Sequence, residues 1–368
     1  MENNIIYSKI RSITKTFVEI PSWKVMLSLI LPFVVLFFAT PSFQIINEHW
    51  DPIIKQAENP FLSRNYPAHS HASKLAFRFI PAIIVGWLHL SIKGIIIWQY
   101  INGALLFYVS ALVIEKLTKN KFLAFYTIML TAFIFSGKVS FINFKDTFDS
   151  LILVLLLLCF LNPNKILLFL LILVSSFIDE RALVCSGFIF LYYFYLQIEH
   201  KKYRLYLVTI FFSWFIYFSI RTFLANFFGL QTSTGGVDFK TMSLNLNFAP
   251  LSIWQAFEGG WIVVLIFISS IFYSHRFFLI LLLGQLLIIL FIAFLVFDVT
   301  RSLVYLYPLL IIAIVFLNKN ILHRKKIEYY TFLAMIISFL YPSYCSAGDT
   351  NNWLLPLPLK LIFEYFTS

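Results

Sequence analysis

The chain has 368 residues, of which 60% are hydrophobic and only 12% charged, with a mean hydropathy of +0.86. A soluble domain carries about 25% charged residues and does not string together many apolar runs near 20 residues, so a water-soluble enzyme or regulator is excluded. The net charge of +11 does not mark a nucleic-acid binder, because the lysines and arginines sit in short loops between apolar segments, as they do in an oriented membrane protein.

In lipid the backbone must satisfy its own hydrogen bonds, so the spans are helices or a closed barrel. Runs such as LILVLLLLCFL (151–161) are continuous, whereas barrel strands alternate. The expected fold is all-α: a polytopic transmembrane helical bundle of about 11 spans, with a long first outer loop containing interfacial helices. The expected setting is a bacterial inner (plasma) membrane, with the N-terminus cytoplasmic.

Residues 1–24 form a cytoplasmic segment with Lys9, Arg11, Lys15 and Lys24, expected as a short interfacial helix. No cleavable signal peptide is evident. Span 1 is expected at 25–46. The outer loop 47–94 follows and is far more polar than its surroundings. Within it, PAIIVGWLHL (81–90) is too short to cross and is expected to lie in the interface. Span 2 (95–115) ends at Lys116, Lys119 and Lys121. Spans 3 and 4 are expected at 122–137 and 147–162, and spans 5 and 6 at 166–178 and 182–198. Span 7 (205–224) closes a 25–230 core. The 231–368 region holds an outer loop up to 258, spans at 259–273, 277–297, 302–317 and 330–345, and a tail ending outside. In this topology only Glu2, Glu19, Glu115, Glu199 and Glu328 of the 17 acidic residues face inward, while lysine and arginine concentrate there. Cys159, Cys185 and Cys345 make no CxxC pattern and no disulfide framework.

The scarce outer charges are the candidate site. Asp51 and His49 lie in the first loop, with Arg78 at its end. Lys145, Asp146 and Asp149 open span 4, the two carboxylates at i and i+3 and so on one helix face. Asp179, Glu180 and Arg181 sit between spans 5 and 6. Asp298 and Arg301 sit between spans 9 and 10, again at i and i+3. Arg221 lies near the outer end of span 7. Ionisable residues at membrane depth are functional candidates. Each group also has a structural alternative: a local ion pair, a solvated turn or a helix-start acid. His69 and His71, two apart in the loop, are read first as loop residues and second as metal ligands.

Sugar transfer from a lipid phosphate explains such a layout. It needs a base for the acceptor hydroxyl, which a carboxylate near the surface supplies. It needs a cation or divalent metal on the phosphate leaving group, and the arginine fork matches phosphate oxygens. It also needs an apolar groove for the polyprenyl chain.

In layout, roughly residues 1–230 resemble the GT-C superfamily of integral-membrane glycosyltransferases. The resemblance rests on Asn47-Glu48-His49-Trp50-Asp51 after the first span, the interfacial stretch 79–90, and the acidic outer turns at 145–149 and 179–181. It implies a polyprenyl-phosphate sugar donor, Asp51 as catalytic base, and Glu48 with Asp51 as ligands of Mg or Mn. The family's acidic pair stands one residue apart, and here the two are three apart. His49, Arg78, Lys145, Asp146, Asp149, Asp179, Glu180, Arg181 and Arg301 are the expected substrate contacts. Alternatives are a flippase or transporter of lipid-linked sugars, an O-antigen-type polymerase, and an accessory subunit without activity.

Overall fold

The computed structural model describes residues 5–39, 46–61, 72–142, 148–231, 237–320, 324–348 and 350–367. Helices dominate. They are α1 (Ile5–Val18), α2 (Trp23–Phe38), α3 (Ile46–Glu58), α4 (Phe79–Trp87), α5 (Ile92–Thr118), α6 (Lys121–Phe133), α7 (Phe135–Ile142), α8 (Asp149–Cys159), α9 (Lys165–Ser176) and α10 (Arg181–His200). There follow α11 (Arg204–Phe228), α12 (Phe239–Leu246), α13 (Ala249–Phe257), α14 (Trp261–Ser274), α15 (Arg276–Leu295), α16 (Val299–Leu303), α17 (Tyr307–Asn320), α18 (Arg324–Leu340) and α19 (Leu357–Thr367). Short 3₁₀ turns cover Ala72–Phe77, Glu258–Gly260 and Val304–Leu306. A two-stranded antiparallel hairpin, β1 (Tyr344–Ala347) and β2 (Thr350–Trp353), pairs Cys345 with Asn352.

The chain is an all-α, multi-pass membrane bundle, but the expected count of about 11 spans does not stand. Among the described residues six helical stretches are long and apolar enough to cross a membrane, or up to eight if each bent pair counts as one. The expected spans at 147–162 and 166–178 fold as α8, of 11 residues, and α9, of 12. At 1.5 Å per residue these reach roughly 16–18 Å, against a hydrocarbon core of about 30 Å. Asn162, at φ 52°, and Pro163 turn the chain early. Asn164 then caps α9 by accepting from the Leu167 N–H at 2.8 Å. The turn lies level with Tyr193, whose hydroxyl donates to the Cys159 carbonyl at 2.6 Å, while α10 continues to His200. Below the shortfall is a cavity of about 210 Å³, lined in part by Asn162, Tyr192, His200, Tyr203 and Lys319.

Burial sorts the helices. The stretch Val299–Lys319 holds an 18-residue window that is wholly buried inside the bundle. Its Tyr307 hydroxyl meets Thr131 and Ser110, each at 2.8 Å, so the polar group at its centre is satisfied as burial requires. Helix α11 is the opposite case: Phe211, Phe215, Phe218 and Phe227 are exposed, as a lipid-facing helix demands.

Ion pairs mark the two ends of the bundle. At the basic end Lys24 bonds Glu115 at 2.6 Å, Arg11 bonds Glu328 at 3.0 Å, and Lys319 pairs with Glu199. The Asn318 amide donates there to the Thr118 carbonyl at 3.3 Å. Helix α1 turns 115° from α2 and is pinned across this end by Arg11, as an interfacial helix would be. The other end carries the charges singled out in the sequence. The loop helix expected at 81–90 is α4, whose Ile83 and Trp87 stay exposed while Ala82 and Val85 are buried. The tail adds the hairpin, which the sequence reading did not foresee.

Candidate functional site

Four separate parts of the chain build one charged cluster. The turn between α9 and α10 has neither glycine nor proline, and Asp179 makes it. Its Oδ1 accepts from the Arg181 backbone N–H at 2.9 Å and from Arg181 Nε at 2.8 Å, and its Oδ2 accepts from Arg181 Nη2 at 2.6 Å. The carboxylate thus starts α10 and holds the guanidinium in one motion.

Arg78 arrives from the first loop. Its Nη1 lies 3.2 Å from Asp179 Oδ2, and Nε and Nη2 donate to the two Glu180 oxygens at 3.1 Å each. This is the bidentate fork geometry that favours arginine. The backbone fixes the approach, since the Ile80 N–H donates to the Phe177 carbonyl at 3.3 Å. Glu180 is the partly open member, with 39% of its side chain exposed.

The third arginine comes from α16. Arg301 Nε donates to Asp149 Oδ2 at 2.8 Å, and Nη1 stands 3.9 Å from Asp298. The i, i+3 pair seen in the sequence is therefore the weaker of these two contacts. Tyr305 donates to Asp149 Oδ1 at 2.8 Å, and the Arg181 guanidinium lies 5.1 Å from the Tyr305 ring centroid. Arg181 Nη1 also donates to Ser302 Oγ at 2.8 Å. Tyr305 and Ser302 thus join the arginines into one network. The sequence held one sign of Tyr305: it follows Arg301 by four residues, one helical turn on the same face.

Electrostatics favour the charged forms of Asp179 and Arg78. Burial alone would raise the Asp179 carboxyl, but Arg181 and Arg78 outweigh it and hold its pKa below the usual carboxylate range. Burial works against the charge on Arg78, and Asp179 and Glu180 overcome that to raise its pKa.

Asp51 stands apart from the network. It is exposed on α3, while its neighbours Trp50 and Ile53 are buried. Trp50 stacks on Phe148 with ring centroids 6.3 Å apart, and Phe148 directly precedes Asp149. The loop helix is thereby seated at the start of α8. The Arg221 guanidinium lies 4.4 Å from the Phe77 ring centroid and bonds Tyr217 at 3.0 Å. Lys145, Asp146, His69 and His71 lie outside the described residues, as do the side chains of Glu48 and His49. Glu48 and Asp51 are three residues apart on α3. The described residues contain no group of three His, Cys, Asp or Glu placed to hold a metal ion.

The space against Arg181, Ser302 and Tyr305 is about 10 Å³, room for about one water. The more open side of the cluster is at Glu180.

A second charged pair escaped the sequence reading. Lys138, in α7, lies 3.4 Å from Glu258 and bonds the Ser343 hydroxyl, with both charged groups buried. The sequence reading left both in outer-loop stretches, and the structure sets them inside. Glu258 has φ 46°, a left-handed conformation costing a non-glycine residue about 1–3 kcal/mol. The turn it opens is jammed against α18, where a Cβ on Gly259 would meet the Ala334 carbonyl at 2.2 Å. The pattern Glu-Gly-Gly was the available signal. Comparison with models of protein families, with curated proteins and with solved structures gives no match to this chain.

Proposed function

We propose that the protein is a membrane glycosyltransferase that moves a sugar from a polyprenyl-phosphate donor to an acceptor hydroxyl at the face bearing the arginine cluster. The observation that carries this reading is the meeting of Arg78, Arg181 and Arg301 at one end of a lipid-facing bundle, beside a loop helix that presents Asp51. In the proposed reaction the Asp51 carboxylate takes the acceptor proton. The acceptor oxygen bonds to the anomeric carbon as the bond from that carbon to the phosphate oxygen breaks. The phosphate leaves with the electron pair and its charge is met by guanidinium groups. Phosphate reaches Arg78 by displacing Glu180, the partly exposed carboxylate of the network. The chemistry runs through these side chains, with no step assigned to a metal.

The test is transfer from a radiolabelled polyprenyl-phosphate sugar, measured in proteoliposomes. Asp51→Asn should abolish product while donor binding persists. Full turnover in that variant removes the assignment of the base, and absence of turnover with any donor in the unaltered protein removes the reading.

A second reading, movement of lipid-linked sugar across the bilayer, draws on the Lys138–Glu258 pair. Lys138 follows the bend between α6 and α7, and Glu258 opens the 3₁₀ turn between α13 and α14; broken helices with polar groups mark transport sites. Lipid-linked sugar crossing without hydrolysis or transfer would favour it.

A further inference from the structure

The basic end holds a second feature, unrelated to the chemistry at the opposite end. Lys24, Glu115, Lys116, Lys119 and Lys121, with Leu112, line a cavity of about 380 Å³ between α2, α5 and the start of α6. Lys24 is committed to Glu115 at 2.6 Å. Lys116, Lys119 and Lys121 are exposed and form no ion pair among the described residues. The pocket therefore carries a surplus of three positive charges. Its geometry is fixed by the turn: Lys119 closes α5 at φ 55°, and Asn120 caps α6 by accepting from the Leu123 N–H at 3.1 Å. The positive end of the α6 dipole adds to the field.

One wall continues this pocket into the apolar zone. On α5, the exposed Ile101 and Leu105 lie on the helix face of Leu112, Lys116 and Lys119. A ligand seated here meets cations at one end and aliphatic side chains along its length. Basic pockets between helices at a membrane surface bind anionic lipid headgroups. We infer that this cavity is a binding site for an anionic phospholipid, its phosphate among Lys116, Lys119 and Lys121 and its acyl chains along the exposed face of α5.

The same phosphate chemistry could be offered by a soluble anion, so the experiment separates the two. The full-length protein in detergent is titrated with phosphatidylglycerol, or with inorganic pyrophosphate, and bound ligand is counted by native mass spectrometry. Each lysine near a headgroup is expected to contribute roughly fivefold in affinity. Lys116→Gln/Lys121→Gln should weaken phosphatidylglycerol binding about 25-fold by that scale and leaves the Lys119 turn intact. Lys9→Gln/Lys15→Gln, at the same end but outside the cavity, should change it less than twofold. Glu115→Gln, which frees Lys24, should tighten binding, an outcome that loss of structure does not produce. Equal losses in the two double variants would overturn the site, as generic surface charge would then suffice. Pyrophosphate binding as tightly as the lipid and displacing it would overturn the lipid assignment.

Discussion

Asp149→Ala is the most informative perturbation of the cluster. It removes the carboxylate 2.8 Å from Arg301 Nε and the acceptor 2.8 Å from the Tyr305 hydroxyl. Asp149 and Arg301 are 3% and 4% exposed, and Asp298 stands 3.9 Å from Arg301. Breaking a buried pair from one side costs about 3–5 kcal/mol because the survivor stays buried and charged. A stranded buried hydroxyl adds about 1–3 kcal/mol. Both losses come from the same carboxylate and are not additive, so about 4 kcal/mol is expected, roughly a quarter or more of a typical fold's total stability. The triple variant Asp149→Leu/Arg301→Met/Tyr305→Phe leaves none of these three groups polar and should return to within about 1–2 kcal/mol of the parent. Unfolding in mixed micelles, followed by circular dichroism, measures both. If the triple variant is as unstable as the single one, the network does not act as a buried ion pair. If it is stable and still binds the polyprenyl-phosphate donor with unchanged affinity, Arg301 is structural and has no part in the phosphate clamp.

Asp51→Asn should leave stability within about 0.5 kcal/mol, since the residue is exposed, while abolishing transfer; thermal unfolding beside the transfer assay checks both. Gly259→Ala should destabilise by about 1–3 kcal/mol, because the new methyl meets the Ala334 carbonyl at 2.2 Å, and the loss should appear in the same unfolding assay. Asp179 is held below its ordinary pKa, so it binds fewer protons folded than unfolded. Its stabilisation is full above the usual carboxylate pKa of about 4 and disappears as pH falls through the lower folded value. Asp179→Asn should accordingly flatten the stability profile below about pH 4, and a profile unchanged by the substitution would argue against the ion pairs.

Much of the cluster was legible because ionised side chains are rare in so apolar a chain. Arg78, Asp149, Asp179, Glu180, Arg181 and Arg301 all stood out by charge and all meet in one network. Tyr305 and Ser302 did not, since tyrosine and serine are ordinary packing residues in such helices and only the fold reveals their partners. Lys138 and Glu258 were misplaced for a related reason: a window of hydropathy assigns a charge to the nearest loop, whereas here each charge neutralises the other inside the bundle. Helix lengths failed where local chemistry overrode composition. The apolar runs around Asn162-Pro163 suggested two crossings, and the early turn shortened both to hairpin arms. Asp51 gave no packing signal because its role in the fold is slight; its neighbour Trp50 does the anchoring.

That hairpin has an electrical consequence. Where the 210 Å³ recess below Asn162 admits water, the low-dielectric layer thins to the roughly 18 Å of the hairpin, and a membrane voltage falls over that shorter distance. The field across α8 and α9 is correspondingly steeper.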